Sequence, residues 1–159
     1  MPKVTRVTIV FAAGMLAAAV LATAQTKDPF VGTWTLNVAK SKYDPGPGPK
    51  GGTTTYEPAG KGYKVTVKAE PASAPALQWS YTTDLDGKDS PMTGNPNADA
   101  IAVKRVDANT LEAVAKKGGK ELTKQKRVVS SDGKTLTITM TGMNAQGQKV
   151  NNVAVYEKK

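Results

Sequence analysis

The segment Thr135-Leu136-Thr137-Ile138-Thr139-Met140-Thr141 carries the clearest structural signal in this chain of 159 residues. Apolar side chains alternate with threonines along it, which is the period of a β-strand with one buried face. Threonine and isoleucine are β-branched, and such side chains pack well on a pleated surface. The segment therefore predicts a half-buried strand, and it sets the pattern by which the other strands are recognised.

Nine further segments repeat this alternation, of which the run over 88–92 is the shortest. They cover residues 31–36, 53–57, 63–69, 77–83, 88–92, 100–106, 110–116, 121–129 and 149–156. Asp86-Gly87, Gly118-Gly119 and Asp132-Gly133 are tight-turn pairs, because glycine tolerates a positive φ. Successive turn centres lie roughly 10–14 residues apart, which leaves no room for crossover helices and predicts an antiparallel meander.

A meander of this size must protect its edge strands. Closure into a barrel is one solution and a two-sheet sandwich is the other. We expect an all-β fold in which an up-and-down meander of about eight to ten strands closes into a barrel. Residues 37–43 can hold a short helical turn, but Pro45-Gly46-Pro47-Gly48-Pro49 fits neither a helix nor a central strand. This proline-rich stretch either closes one end of the barrel or forms a flexible loop.

The first 24 residues have the features of an export signal. Lys3 and Arg6 form a basic start, an uncharged apolar run covers 7–21, and Ala22-Thr23-Ala24 offers small residues for cleavage. The apolar run is shorter than the roughly 20 residues of a spanning helix, which favours cleavage after Ala24 over a retained anchor. We expect a single domain over residues 25–159, located in the periplasm or outside the cell, with no transmembrane anchor after cleavage.

The composition excludes several kinds of chemistry. The chain has no histidine and no cysteine, which removes Ser/His/Asp and Cys/His nucleophile systems, disulfides and zinc sites of the usual ligand types. We therefore expect no metal, no cofactor and no enzyme. A hydrolase that uses carboxylates alone, such as Asp84, Asp86 and Asp89, stays open. Aspartates in such positions are also common turn formers.

The charge balance is strongly positive, with 22 lysines and arginines against 13 aspartates and glutamates. Most of the basic residues are lysines, whereas specific phosphate and base recognition relies mainly on arginine. Nucleic acid is therefore not an expected partner. A weak contact of the basic surface with acidic envelope polymers or lipids is one of the two functions that we consider; the other, given below, is the binding of a small molecule inside the barrel. The protein is expected to be a monomer.

The stretch Phe30-Val31-Gly32-Thr33-Trp34-Thr35-Leu36 resembles the Gly-x-Trp opening of the calycins, the superfamily of lipocalins and fatty-acid-binding proteins. With Lys40-Ser41-Lys42 and the meander that follows, the chain is similar to secreted bacterial lipocalin-like proteins of unassigned function. The resemblance implies that Trp34 closes the base of the barrel against a basic side chain from a late strand, for which Arg127 is the best placed. Fatty-acid-binding proteins hold a carboxylate with an Arg-x-Tyr pattern on the last strand, but here Ala154 stands in the place of that arginine, so the resemblance does not imply carboxylate binding of that kind.

The resemblance implies a non-catalytic protein that holds a small apolar or amphipathic molecule inside the barrel. Trp79 and Tyr81 share one strand face, and they either line such a cavity or pack in the core. Arg105 lies on the same face of its strand as apolar neighbours. It therefore either points into the barrel and needs an anionic partner or lies at the rim of the barrel. Together with Tyr156 on the last strand, these residues are the predicted ligand contacts.

Overall fold

The computed structural model describes residues 27–159, and the predicted export signal over 1–24 lies outside them. The strands are β1 (Gly32–Leu36), β2 (Gly51–Ala59), β3 (Gly62–Glu70), β4 (Leu77–Thr83), β5 (Asp86–Thr93), β6 (Ala100–Asp107), β7 (Thr110–Lys117), β8 (Lys120–Val129), β9 (Thr135–Met143) and β10 (Lys149–Lys158). A single turn of 3₁₀ helix, Val38–Lys40, follows β1. Each strand overlaps one predicted segment, so the all-β meander is confirmed. Within residues 27–159, no helix is long and apolar enough to cross a membrane.

The barrel is closed between its first and last strands. Every strand pairs antiparallel with its neighbours in sequence, and β1 pairs with β10 as well as with β2. At the closure Trp34 lies opposite Lys158, and Leu36 lies opposite Tyr156. Closure removes the sheet edges that an open meander would expose. The barrel is therefore confirmed, and the sandwich alternative is excluded.

The alternating strand directions give the barrel two different ends. We call the end at which β1 begins and β10 finishes the closed end, and the opposite end the mouth. The mouth carries the long connections over 37–50, 71–76, 94–99 and 144–148, whereas β2 and β3 meet at the closed end through a two-residue turn. The closed end is filled by aromatic side chains. Ring centroids there are 5.7 Å apart for Phe30 and Tyr56.

Trp34 is fully buried at the closed end, but the basic side chain over its ring is Lys158. Lys158 Nζ lies 4.8 Å from the indole centroid, because these two residues are direct partners across the barrel closure. The expectation that Arg127 takes this position is corrected, since its guanidinium lies 5.9 Å from the ring centroid of Tyr81. Gly32 makes room for the lysine: a Cβ at this position would lie 3.1 Å from Lys158 Cε.

The connection over 37–50 is fastened to the barrel before it crosses the mouth. Lys42 and Val153 exchange two backbone hydrogen bonds of 2.8 Å, so this part of the connection runs alongside β10. The proline-rich residues 45–49 then line the interior at the mouth. Of the two expectations for this stretch, partial closure of one end is the one that the structure supports.

Candidate ligand-binding site

The barrel contains a cavity of about 550 Å³ that opens towards the mouth. This volume falls within the range of about 300–1,000 Å³ that is usual for small-molecule sites. The wall is mostly apolar because the inward residues of each strand alternate with polar residues on the outer face. Apolar side chains that line it include Val65, Val67, Leu77, Met92, Ile138 and Met140.

Trp79, Tyr81 and Tyr156, three of the four predicted ligand contacts, line this cavity. The first two point inward because they alternate along β4 with Gln78 and Thr82, which are exposed. Burial raises the pKa of the Tyr156 hydroxyl, so this group is neutral and able to donate a hydrogen bond at neutral pH. Ligand binding by the three residues stays a prediction.

Arg127 is a buried cation at the deep end of the cavity, and the residue is 5% exposed. Its Nη1 donates to Tyr81 Oη at 2.5 Å and to Tyr56 Oη at 3.3 Å. Its Nη2 and Nε donate to Gln125 Oε1 at 2.7 and 3.1 Å. Within residues 27–159, no salt bridge includes Arg127. We call these four residues the arginine cluster, in which neutral groups alone surround the charge.

The arginine cluster presents a positive charge and two hydroxyl groups to the cavity. Burial lowers the pKa of Arg127, but the contacts of its guanidinium with Tyr81 and Tyr56 have the larger effect. The pKa of Arg127 is therefore above its ordinary value. Burial raises the pKa of Tyr56 to about 12, and the neighbouring guanidinium offsets part of that shift. Because both tyrosine oxygens accept from Arg127, their own O–H groups remain to donate elsewhere. A cation beside two O–H donors suits a carboxylate or a similar anion.

Arg105 lies at the closed end and is not among the residues that line the cavity. Its Nη2 forms a salt bridge of 2.8 Å with Asp28 Oδ2. Tyr63 donates its hydroxyl to the same carboxylate oxygen at 2.5 Å and accepts a hydrogen bond from Arg105. The guanidinium also lies 5.8 Å from the ring centroid of Phe30. The structure thus supplies the anionic partner that an inward arginine needs, and it places Arg105 outside the lining of the cavity.

The turn carboxylates lie on the outer surface, away from the cavity. Asp86 accepts a hydrogen bond from the backbone N–H of Lys88 at 3.0 Å and pairs with the ammonium of the same residue. Asp89 forms a salt bridge of 2.8 Å with Lys116. Neither of these aspartates nor Asp84 lines the cavity. In the described part of the chain, no group of three or more acidic residues is placed to hold a metal ion.

Sequence reasoning missed the arginine cluster, although β8 carried a usable signal for it. Lys124 and Lys126 are exposed, whereas Gln125 and Arg127 alternate with them and face inward together with Val129. The alternation of residues along β8 therefore distinguishes the inward arginine from the lysines on the surface. The resemblance pointed instead to a role for Arg127 beside the tryptophan.

The antiparallel barrel that the resemblance implied is present, closed between its first and last strands. A barrel alone does not assign a family, because one fold serves many unrelated functions. Comparisons with protein-family models, with curated proteins and with solved structures found no match for this chain.

Proposed function

We propose that the protein binds a small amphipathic molecule with an anionic head group inside the barrel and catalyses no reaction. The apolar part of the ligand fills the cavity, and the head group contacts the arginine cluster. The resemblance of Gly32-Thr33-Trp34 to the calycin opening supports this function. The predicted export signal over 1–24 supports a location in the periplasm or outside the cell. On this proposal the protein is an exported, lipocalin-like carrier.

Arg127 is the observation that carries the proposal. Burying a charge is costly unless a partner compensates for it, and the partners of Arg127 are two hydroxyls and an amide oxygen. A ligand anion supplies the missing counter-charge, and a hydrogen bond to a charged group contributes about 1.5–3 kcal/mol. Burial of an alkyl chain adds about 25 cal/mol per Å² of apolar surface. The two contributions together favour an amphipathic anion over a purely apolar molecule.

The test is a binding measurement on the mature chain, residues 25–159. A dansyl-labelled undecanoic acid serves as the fluorescent probe, and dodecanoate and dodecanol compete with it. Because Trp79 lines the cavity and Trp34 does not, a change in tryptophan fluorescence reports binding independently of the probe. We expect saturable probe binding and stronger displacement by dodecanoate than by dodecanol. Failure of the probe to bind, or equal displacement by the two competitors, would contradict the proposal.

A further inference from the structure

A groove lies on the outer surface of the barrel, across β1, β2 and β3. We call it the threonine groove, after the residues of its floor: Thr33, Thr35, Thr53, Thr55 and Thr66. These side chains form rows because Thr33 lies opposite Thr55 and Thr35 lies opposite Thr53. The groove has a volume of about 570 Å³. It is large enough to receive part of a small amphipathic molecule.

The threonine groove and the interior cavity share one stretch of wall. The residues that line both are Leu36, Gly51, Gly52 and Lys68. The wall arises because β1 leaves β2 early: their pairing ends at Thr35 and Thr53. Beyond that point the chain turns to β10, where Asn37 N donates to Val155 O at 2.8 Å. The start of β2 is therefore paired only with β3 on this part of the barrel.

Two glycines keep this shared wall thin. Gly52 has a φ of 153°, and a Cβ on it would lie 2.5 Å from Lys68 O, so its backbone packs directly on β3. Gly51 has no such constraint, since a Cβ there would meet only the flexible end of Glu70 at 2.9 Å. Without side chains on the two glycines, the main side-chain barrier between groove and cavity is Leu36, which is 7% exposed.

We propose that this wall is a lateral portal through which an amphipathic ligand reaches the cavity, with Leu36 as its gate. The portal rests on the proposed function, since it serves a ligand held in the barrel. Opening it requires rotation of one leucine side chain. Opening the mouth further requires release of the 37–50 connection at Asp44. The backbone carbonyl of Asp44 accepts a hydrogen bond from Asn151 N at 2.8 Å, and its N–H donates to Asn152 Oδ1 at 3.0 Å. Rotation of Leu36 therefore disturbs fewer hydrogen bonds than widening of the mouth, which the proline-rich residues 45–49 partly close.

A second observation places a polar contact at the portal. Among the described residues, Thr35 Oγ1 is the buried side-chain oxygen that lacks a hydrogen-bond partner, and Thr35 lines the threonine groove beside Leu36. Buried hydroxyls are normally satisfied. A head group in the threonine groove can hydrogen-bond this hydroxyl if the floor of the groove shifts to expose it, which suits an amphipathic ligand better than a purely apolar one.

Stopped-flow fluorescence with dansyl-labelled undecanoic acid tests the portal. Gly51→Phe fills the groove above the shared wall, and Gln146→Phe places the same side chain at the mouth, where Gln146 is exposed and lines the cavity. We expect Gly51→Phe to lower kon and koff together by about tenfold, which corresponds to a barrier about 1.4 kcal/mol higher. The Kd stays nearly constant because a side chain at residue 51 points to Glu70, which lines the groove and not the cavity. Gln146→Phe should leave both rates within about twofold of the parent.

Leu36→Ala gives an independent variant in case Gly51→Phe does not fold, which circular dichroism will show. Removing the gate should raise kon, and an unchanged kon would overturn the portal. Slower rates in Gln146→Phe with unchanged rates in Gly51→Phe would assign access to the mouth instead and overturn it as well. If an equilibrium titration shows no saturable binding to the parent chain, the portal and the proposed function both fail. Normal binding with unchanged rates in Gly51→Phe overturns the portal alone.

Discussion

Replacing Arg127 with methionine should remove the preference of the cavity for an anionic head group while preserving its affinity for a neutral one. Methionine is flexible and apolar, so it can fill most of the space of the arginine stem without its charge. The assay measures the Kd of dodecanoate and of dodecanol for the parent and for Arg127→Met. These four values form a double-mutant cycle between the protein and the head group.

The structure sets the size of the expected effect. Arg127 lies at the deep end of the cavity and donates to neutral partners only, so its charge is available to one ligand carboxylate. Loss of a charge-assisted hydrogen bond of about 1.5–3 kcal/mol should weaken dodecanoate binding by about 10- to 150-fold. Dodecanol should change by less than about threefold, because its affinity comes mainly from apolar burial. General loosening of the barrel affects both ligands alike and cancels in the cycle.

Arg105→Gln is the matched control for this cycle. It removes the same charge, but at the closed end, where Arg105 pairs with Asp28 and does not line the cavity. The ratio of the two dissociation constants should equal that of the parent. An Arg127→Met variant that keeps the parental ratio, or that loses both ligands equally, would refute the assignment of Arg127 as the anion site.

Three further predictions concern stability, each measured by urea unfolding. Thr35→Val should raise the free energy of unfolding by about 1 kcal/mol, because Thr35 Oγ1 is buried without a partner and valine keeps the β-branched shape; a loss of stability would contradict this. Asp28→Asn should lower it by about 1–3 kcal/mol, since it removes the partner of both Arg105 and Tyr63; an unchanged value would show that these bonds contribute nothing net. Tyr56 has a pKa of about 12 when folded and an ordinary value of 10.0, so its neutral form stabilises the fold below about pH 10, and that contribution is lost as the pH rises towards 12. Tyr56→Phe should therefore flatten the alkaline fall in stability, and an equally steep fall in both chains would count against the role of Tyr56.

Much of the fold follows from local alternation, which requires no knowledge of distant contacts. The threonine-rich segment 135–141 and the other nine segments were recognisable because each strand presents one apolar face. Barrel closure depends on the pairing of β1 with β10, which joins segments more than a hundred residues apart. For the same reason the sequence identified Trp34 but not its partner Lys158, which is set by register across the closure.

The candidate site was predictable in part. Trp79 and Tyr81 followed from parity on one strand, and both line the cavity. Arg105 and Arg127 both face inward by parity, but parity does not show which of them meets a carboxylate. Asp28 lies in the N-terminal segment before β1, and only the folded chain brings it within 2.8 Å of Arg105. The threonine groove likewise depends on the register between β1 and β2.

The most direct measurement of the central claim is a ¹³C NMR titration of carboxyl-labelled dodecanoate bound to residues 25–159. If the head group lies beside Arg127, the bound carboxyl stays ionised to a lower pH than the free acid, because the adjacent cation favours the charged form. We expect a single bound resonance with a lowered pKa, and Arg127→Met should abolish this resonance or raise its pKa. A bound carboxyl with a raised pKa in the parent chain, as expected in a purely apolar site, would contradict it.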